Sequence, residues 1–275
     1  MNDANRFNIR PESIQRIPGG VASCGMAIMA KASAPGLTKT RLVPPLTFDE
    51  AAALNSAFLQ DIADNLLLAG RHSPIAGYAA YAPRDSEDFF RGILPPAIGL
   101  IDACLPNFGD CLLRTIEELL GRGHRSAVVL NSDGPTLPTA LLVETAEALA
   151  QPGERAVLGP SSDGGYYLLG VKTAHRRLFE DIAWSTERVA EQTRERAREI
   201  KLDIHTLPVW YDVDDVEGLR RLHSEVRRPR PVKYRLDRSE PNFPAATAAL
   251  IERLWADGEF DRRGADVMQL AAGGA

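Results

Sequence analysis

Cysteine is scarce: the 275 residues hold three, Cys24, Cys104 and Cys111, and no two form a C-x-x-C pair. That excludes a zinc ribbon or a disulfide framework and fits a reducing compartment, so a cytoplasmic location is expected. No apolar run approaches the ~18 residues of a membrane span, and the polar first 20 residues lack the apolar stretch of a signal peptide. Positive charge is not in excess either, since 32 Lys and Arg against 37 Asp and Glu leave a net charge of −5. Nucleic acid is therefore excluded as a bulk electrostatic partner, and any phosphate must be met by a local basic cluster. No internal repeat is present. What is there is an ordinary globular composition, 44% hydrophobic and 25% charged, long enough for one large α/β domain.

The pattern along the chain alternates strands with helices. Gly25 to Ala30 is a buried first strand, and Lys31 to Pro45 a loop rich in Pro, Gly and positive charge. Thr47 and Glu50 form a capping box, and the helix it opens places Leu54, Phe58, Ile62 and Leu66 on one face before ending near Gly70. Ile75 to Ala82 reads as the second strand. Between Pro83 and Gly109 only an apolar patch at Ala97 to Ile101 stands out. A helix over Asp110 to Leu120 precedes the strand Ala127 to Leu130, and Pro138 starts a helix running to Ala150. Strands at Arg155 to Gly159 and Tyr166 to Val171 flank a turn at Ser161 to Gly165. A helix over Thr186 to Ile200, a strand over Asp203 to Leu207 and a short helix through Leu222 follow.

This alternation predicts a three-layer α/β/α domain with a mixed, mostly parallel sheet. Its expected bounds are 25–226, after a flexible extension over 1–24. Beyond it, 227–275 should hold a basic linker (Arg227, Arg228, Arg230, Lys233, Arg235, Arg238), a helix from Ala245 to Trp255 and a disordered tail over 271–275.

Four clusters fall at the carboxyl ends of expected strands, where open α/β sheets bind ligands. The loop after the first strand carries Lys31, Pro35, Gly36, Lys39 and Arg41, with glycine allowing backbone to approach an anion and the cations compensating its charge. Gly36-x-x-Lys39-Thr40 lacks the glycine that precedes the lysine of a P-loop, and Pro44-Pro45 delays the helix. Asp133 follows the strand at Leu130, Asp163-Gly164-Gly165 occupies the turn between two strands, and Asp212-Val213-Asp214 lies past the last strand. Bland accounts exist for each: a solvated turn, a helix cap by Asp133 or Asp214, and a φ > 0 hairpin with one ring of Tyr166-Tyr167 on each sheet face. Taken jointly, acids from separate loops with phosphate oxygens suit Mg²⁺, which takes few protein ligands. A degraded nucleophile elbow at Ser132, with His175, His205 or His223 as base, lacks its first glycine and is blocked by Pro135 and Pro138.

The runs Lys31-Ala32-x-x-Pro35-Gly36-x-x-Lys39-Thr40-Arg41-Leu42, Ser132-Asp133-x-Pro135-x-Leu137-Pro138, Gly159-Pro160-x-x-Asp163-Gly164-Gly165-Tyr166-Tyr167-Leu168, Trp184-Ser185-Thr186 and Asp212-Val213-Asp214 occur in this order. Together they resemble the DUF2064 family, often labelled glycosyltransferase-like, in the nucleotide-diphospho-sugar transferase superfamily and related to 2-phospho-lactate guanylyltransferases. The resemblance runs from about Met26 to Leu222 and implies a GT-A type fold. It implies that Lys39 and Arg41 bind phosphate and stabilise charge, and that Asp133 is the principal ligand of Mg²⁺ or Mn²⁺. Asp214 would be the second ligand, with Asp212 in reserve, while Asp163, Gly164, Gly165 and Tyr166 would face a sugar or acceptor. Departures occur at Asn131 and Gly134, where the family usually shows Gly and Cys, Ser or Thr, and at Asn107 to Leu112.

The expected activity is metal-dependent transfer with a nucleotide and a small-molecule acceptor as partners. The basic loop favours nucleotidyl transfer from an NTP to a phosphorylated acceptor, and the family label favours glycosyl transfer from an NDP-sugar. A non-catalytic nucleotide-binding relative is the third expectation, and self-association as a homo-oligomer is allowed for.

Overall fold

The computed structural model describes residues 23–228, 236–256 and 263. The expected extension therefore lies outside the described residues except at its end, where Cys24 already opens a strand. Arg230, Lys233, Arg235 and the tail over 271–275 also lie outside them.

Seven strands form one sheet: β1 (Cys24–Lys31), β2 (Ile75–Ala82), β3 (Gly99–Asp102), β4 (Ser126–Leu130), β5 (Ala156–Pro160), β6 (Tyr166–Val171) and β7 (Ile204–Thr206). Their spatial order is β3-β2-β1-β4-β6-β5-β7. Every neighbouring pair is parallel except those made by β6, which runs antiparallel to both β4 and β5. The sheet is thus mixed and mostly parallel, as the alternation of elements implied. All five residues of β4 are buried, which is why this strand reads as a continuous apolar run.

Helices cover both faces: α1 (Phe48–Ala69), α2 (Glu87–Ile93), α3 (Phe108–Gly121), α4 (Thr139–Ala150), α5 (Val189–Glu199), α6 (Val216–Val226) and α7 (Ala245–Trp255). Met26 and Ile28 of β1 point to a core shared with Leu59 and Leu66 of α1 and Leu142 of α4. Ala27, one residue out of phase, faces Ile116 of α3 and Ala190 of α5, the period of two expected of a strand. Tyr167 packs in the first core and Tyr166 against the second. The Thr47 capping box is present, with both reciprocal bonds made.

The segment that gave only an apolar patch, Pro83 to Gly109, contains α2 and the edge strand β3. Both are short, and neither has room to show a period. The helix expected from Thr186 starts at Val189, because Thr186 uses its hydroxyl on Ala183 O in a preceding turn. α6 is capped by Asp215, whose side chain accepts from Gly218 N. The alternative of Asp214 as that cap is overturned, and Asp214 is left for other work.

A third core fixes the basic loop and the segment before α6. Leu42 and Leu46, from the basic loop, bury against Phe58 of α1, Leu219 and Leu222 of α6, and Ile251 of α7. Each such leucine contributes roughly 2 kcal/mol by leaving water. The loop after β1 and the segment before α6 are therefore clamped onto one hydrophobic base. α7 belongs to that base, anchored by Asp61 of α1, which accepts from Ala246 N and Thr247 N.

Candidate functional site

Lys39 stands at the centre. Its backbone is left-handed, with φ 50°, and this turns the side chain inward beneath the loop. The ammonium forms an ion pair with Asp133 and donates to Asp214 Oδ1 at 2.9 Å and Val213 O at 2.8 Å. It lies 5.2 Å from the centroid of the Phe58 ring. The lysine side chain is only 5% exposed, whereas Asp133 and Asp214 are 30% and 40% exposed. Burial alone would lower the Lys39 pKa, but the charges and hydrogen bonds of Asp133 and Asp214 outweigh it and raise the value. Lys39 is thus a fixed cation that holds two carboxylates from distant loops side by side.

The backbone makes that meeting obligatory. Val213 N donates to Asp133 O at 2.9 Å. Past β5 the chain bulges between Gly159 and Pro160, and Trp210 N donates to Pro160 O while Ser162 N donates to Trp210 O. This extra rung extends the sheet edge and delivers Asp212 to its neighbours. Asp212 accepts from Asn131 Nδ2 and Ser161 Oγ, each at 2.6 Å. Burial pushes its pKa up to about 7; the hydrogen bonds from Ser161 and Asn131 pull the other way, and the charges of Asp133 and Asp163 add to the rise. Asn131, one of the departures from the family pattern, thus lines the crevice and holds Asp212.

Two cavities meet along this row of acids. The larger, about 430 Å³, reaches from Asp133, Asp212 and Asp214 past Ser161 and Asp163 to Phe108 and Trp184. The smaller, about 290 Å³, lies over the basic loop between Lys31, Thr38, Arg41 and Asn55. Arg41, Asp133 and Asp214 border both. Arg41 is exposed and makes no ion pair among the described residues. Lys31 donates to Leu37 O at 3.1 Å and so braces its own loop, in which Pro35 and Gly36 are exposed.

Asp163 is exposed, and its Oδ1 accepts from Gly165 N at 2.9 Å, the turn geometry that its bland account supposed. Gly164 is required where it stands. Its φ is +89°, and a Cβ would lie 2.1 Å from Glu187 O. Tyr166 lines the larger cavity while its hydroxyl is buried without a hydrogen-bond partner among the described residues.

The structure thus brings Lys39, Arg41, Asp133, Asp163, Tyr166, Asp212 and Asp214 to one crevice. It does not bring a histidine to Ser132, whose hydroxyl instead approaches Asp133 Oδ1. His175 meets Glu154, His205 meets Glu144, and His223 stacks on Trp255, so the hydrolase arrangement is absent among the described residues. Sequence reasoning missed Asn131, Ser161, Phe108 and Trp184 as cavity-lining residues. The Trp184-Ser185-Thr186 run was a signal for the last, while nothing local marked Ser161.

The DUF2064 family model, described as an uncharacterized protein conserved in bacteria, matches residues 66–186. No curated protein sequence matches the chain. Among solved structures, a 1.90 Å crystal structure from Desulfovibrio desulfuricans G20, provisionally described as a nucleotide-diphospho-sugar transferase, is 26% identical. The match covers 88% of this chain and 99% of that one, with a TM-score of 0.73. A CMP:2-keto-3-deoxy-manno-octonic acid synthetase complexed with CTP is 11% identical, covering 74% of this chain and 98% of its own, with a TM-score of 0.47. A cytidylyltransferase from Leptospira borgpetersenii serovar Hardjo-bovis is 12% identical over 86% of this chain and 96% of its own, with a TM-score of 0.46. These two are too distant to bear on the site. The matched segment holds β4 with Asp133 and the hairpin turn at Asp163, and it ends at Thr186. The DUF2064 match thus spans residues 66–186, from within α1 to the segment before α5, and the fold of the chain is shared with the Desulfovibrio protein.

Proposed function

We propose that the protein is a transferase that uses a nucleotide as donor, with nucleotidyl transfer from an NTP to a phosphorylated small molecule as its preferred reaction. One observation carries this reading: Asp133 and Asp214, from loops far apart in sequence, share a single ammonium beside Arg41, which makes no ion pair among the described residues. Polyphosphate cannot approach so many carboxylates unless positive charge is added, and Arg41 alone is not enough.

Carboxylate oxygens are hard donors suited to Mg²⁺ or Mn²⁺. Among the described residues no group of three or more His, Cys, Asp or Glu is arranged to hold a metal. Two carboxylates completed by phosphate and water nevertheless match what Mg²⁺ accepts. Asp133 and Asp214 would hold the ion, with Asp212 in reserve. A metal there would supply neutralisation of charge on the reacting phosphate. Lys39 holds both carboxylates side by side at the crevice. Arg41 steadies the polyphosphate from the loop side, over the smaller cavity. An oxygen of the acceptor phosphate then forms its bond to the α-phosphorus in line as the bond to pyrophosphate breaks, a reaction governed by positioning and charge.

Glycosyl transfer is the second reading. The hydroxyls and carboxylate at Ser161, Ser185 and Asp163 along the larger cavity are groups that bind a sugar's hydroxyls, and Asp163 would face the acceptor.

A panel of NTPs and NDP-sugars with Mg²⁺ or Mn²⁺ separates the two readings. Pyrophosphate release supports the first and nucleoside diphosphate release the second. Asp133→Asn should abolish either; full turnover in that variant refutes the assignment. Thermal stabilisation by an NTP only with metal, without turnover of any donor, would identify a non-catalytic relative.

A further inference from the structure

The larger cavity has two unlike ends. Its inner end is the acidic row, and its outer end is closed by Phe108 and Trp184. These rings meet edge to face, with centroids 5.3 Å apart and planes at 84°. Phe108 is the first residue of α3 and is 50% exposed. The cap beside it, Asn107, already satisfies Gly109 N, so local helix formation does not call for a phenyl ring there. Trp184 is held from behind: a Cβ on Gly109 would lie 3.0 Å from its indole. Met29 and Leu112 complete an apolar wall. On the rim, Ser185 is held at φ 65°, a conformation that costs a residue with a side chain and that recurs where ligands are gripped.

Charge along this cavity is one-sided. Lys39 is consumed by Asp133 and Asp214, which leaves Asp163 and Glu187, beside an Asp212 held by Asn131 and Ser161, opposed by Arg41 alone among the described residues. Arg41 also borders the smaller cavity, where the donor's phosphates take it up. An anionic group placed between Asp163 and Trp184 would find carboxylates and no free cation among the described residues.

Resting on the transferase reading above, we infer that the second substrate enters the larger cavity with an apolar, ring-like body packed against Phe108 and Trp184. That body carries no negative charge. Any phosphate on this substrate is confined to its reacting end, beside Arg41 and the Asp133–Asp214 pair. Hydroxyl or amine groups on the body pair with Asp163 and the hydroxyls of Ser161 and Ser185.

Three probes test this on the full chain by calorimetric titration: phenyl glucoside, glucose and 4-carboxyphenyl glucoside. Phenyl glucoside should bind the wild type, and the carboxylated analogue at least 10-fold more weakly. Phe108→Ser, a change at a half-exposed site that leaves the fold intact, should weaken phenyl glucoside roughly 5-fold or more, the order expected for one aromatic contact. Glucose should be indifferent to that change. Equal binding of the carboxylated analogue, no effect of Phe108→Ser, or no binding of phenyl glucoside to the wild type overturns the inference. Metal-dependent NTP binding, measured on the same two proteins, keeps the outcomes apart. If it persists while the glucoside results fail, only this inference falls; if it is absent from both, the nucleotide reading falls.

Discussion

Removing the ammonium of Lys39 would leave two carboxylates facing each other with nothing between them. Breaking a buried ion pair costs about 3–5 kcal/mol, but Asp133 and Asp214 are partly exposed, so Lys39→Met should cost about 2 kcal/mol. If those acids hold a divalent ion, Mg²⁺ should restore more stability to the variant than it adds to the wild type, as read by thermal melts with and without chelator. Equal shifts would disconnect the pair from metal. Asp212 gives a pH signature in chelated protein. Its folded pKa, about 7, lies above the ordinary 3.8. Its contribution is therefore fully present below pH 3.8 and is lost as pH rises through about 7. Asp212→Asn should flatten the stability profile between pH 3.8 and about 7 by an amount on the order of a few kcal/mol. At this scale the sequence placed Lys39, Arg41, Asp133, Asp163, Asp212 and Asp214 after strand ends, and the structure gathers them in one crevice. The sequence did not show that Lys39 turns toward the acids, since a left-handed backbone at a lysine has no local signature.

At the scale of elements, the turn at Asp163-Gly164-Gly165 locks the start of α5. Ala190 N donates to Gly164 O, and Glu187 O sits where a side chain on Gly164 would go. Gly164→Ala should destabilise by about 3 kcal/mol from strained φ and overlap together, measured by urea unfolding. α1 offers a cleaner pH test through Glu50. The hydrogen bond from Arg263, aided by the Thr47 amide, holds this carboxyl below the ordinary 4.5. Its contribution is present above pH 4.5 and disappears as pH falls through the lowered value. Glu50→Gln should cost about 1 kcal/mol at pH 7, and the gap to wild type should close in acid. The capping box was legible in four consecutive residues. The edge strand β3 was not, because four residues with three half-buried positions show no clear alternation.

For the whole molecule, α1 is the hub. Asn65 donates to Leu137 O and accepts from Thr139, tying in α4, while Asp61 receives two amides of α7. Asp61→Ala strands both amides at a buried site and should cost about 3 kcal/mol. Hydrogen exchange should show α7 opening ahead of the sheet; uniform loosening would contradict this view of α7 as a docked brace. Layering followed from the alternation of strand and helix patterns. The strand order did not, since it is set by pairings between segments distant in the chain.

Reversal of the single strand β6 keeps the link from β5 to β6 on the ligand side of the sheet. Had a helix made that crossing, β6 would have begun at the opposite rim and Asp163 would have gone with it. The hairpin tip, pinned by Gly164 against Glu187, therefore opens at the same rim as Asp133. A single chain reversal thus sets an acid from the β5–β6 turn and an acid following β4 at one rim of the sheet.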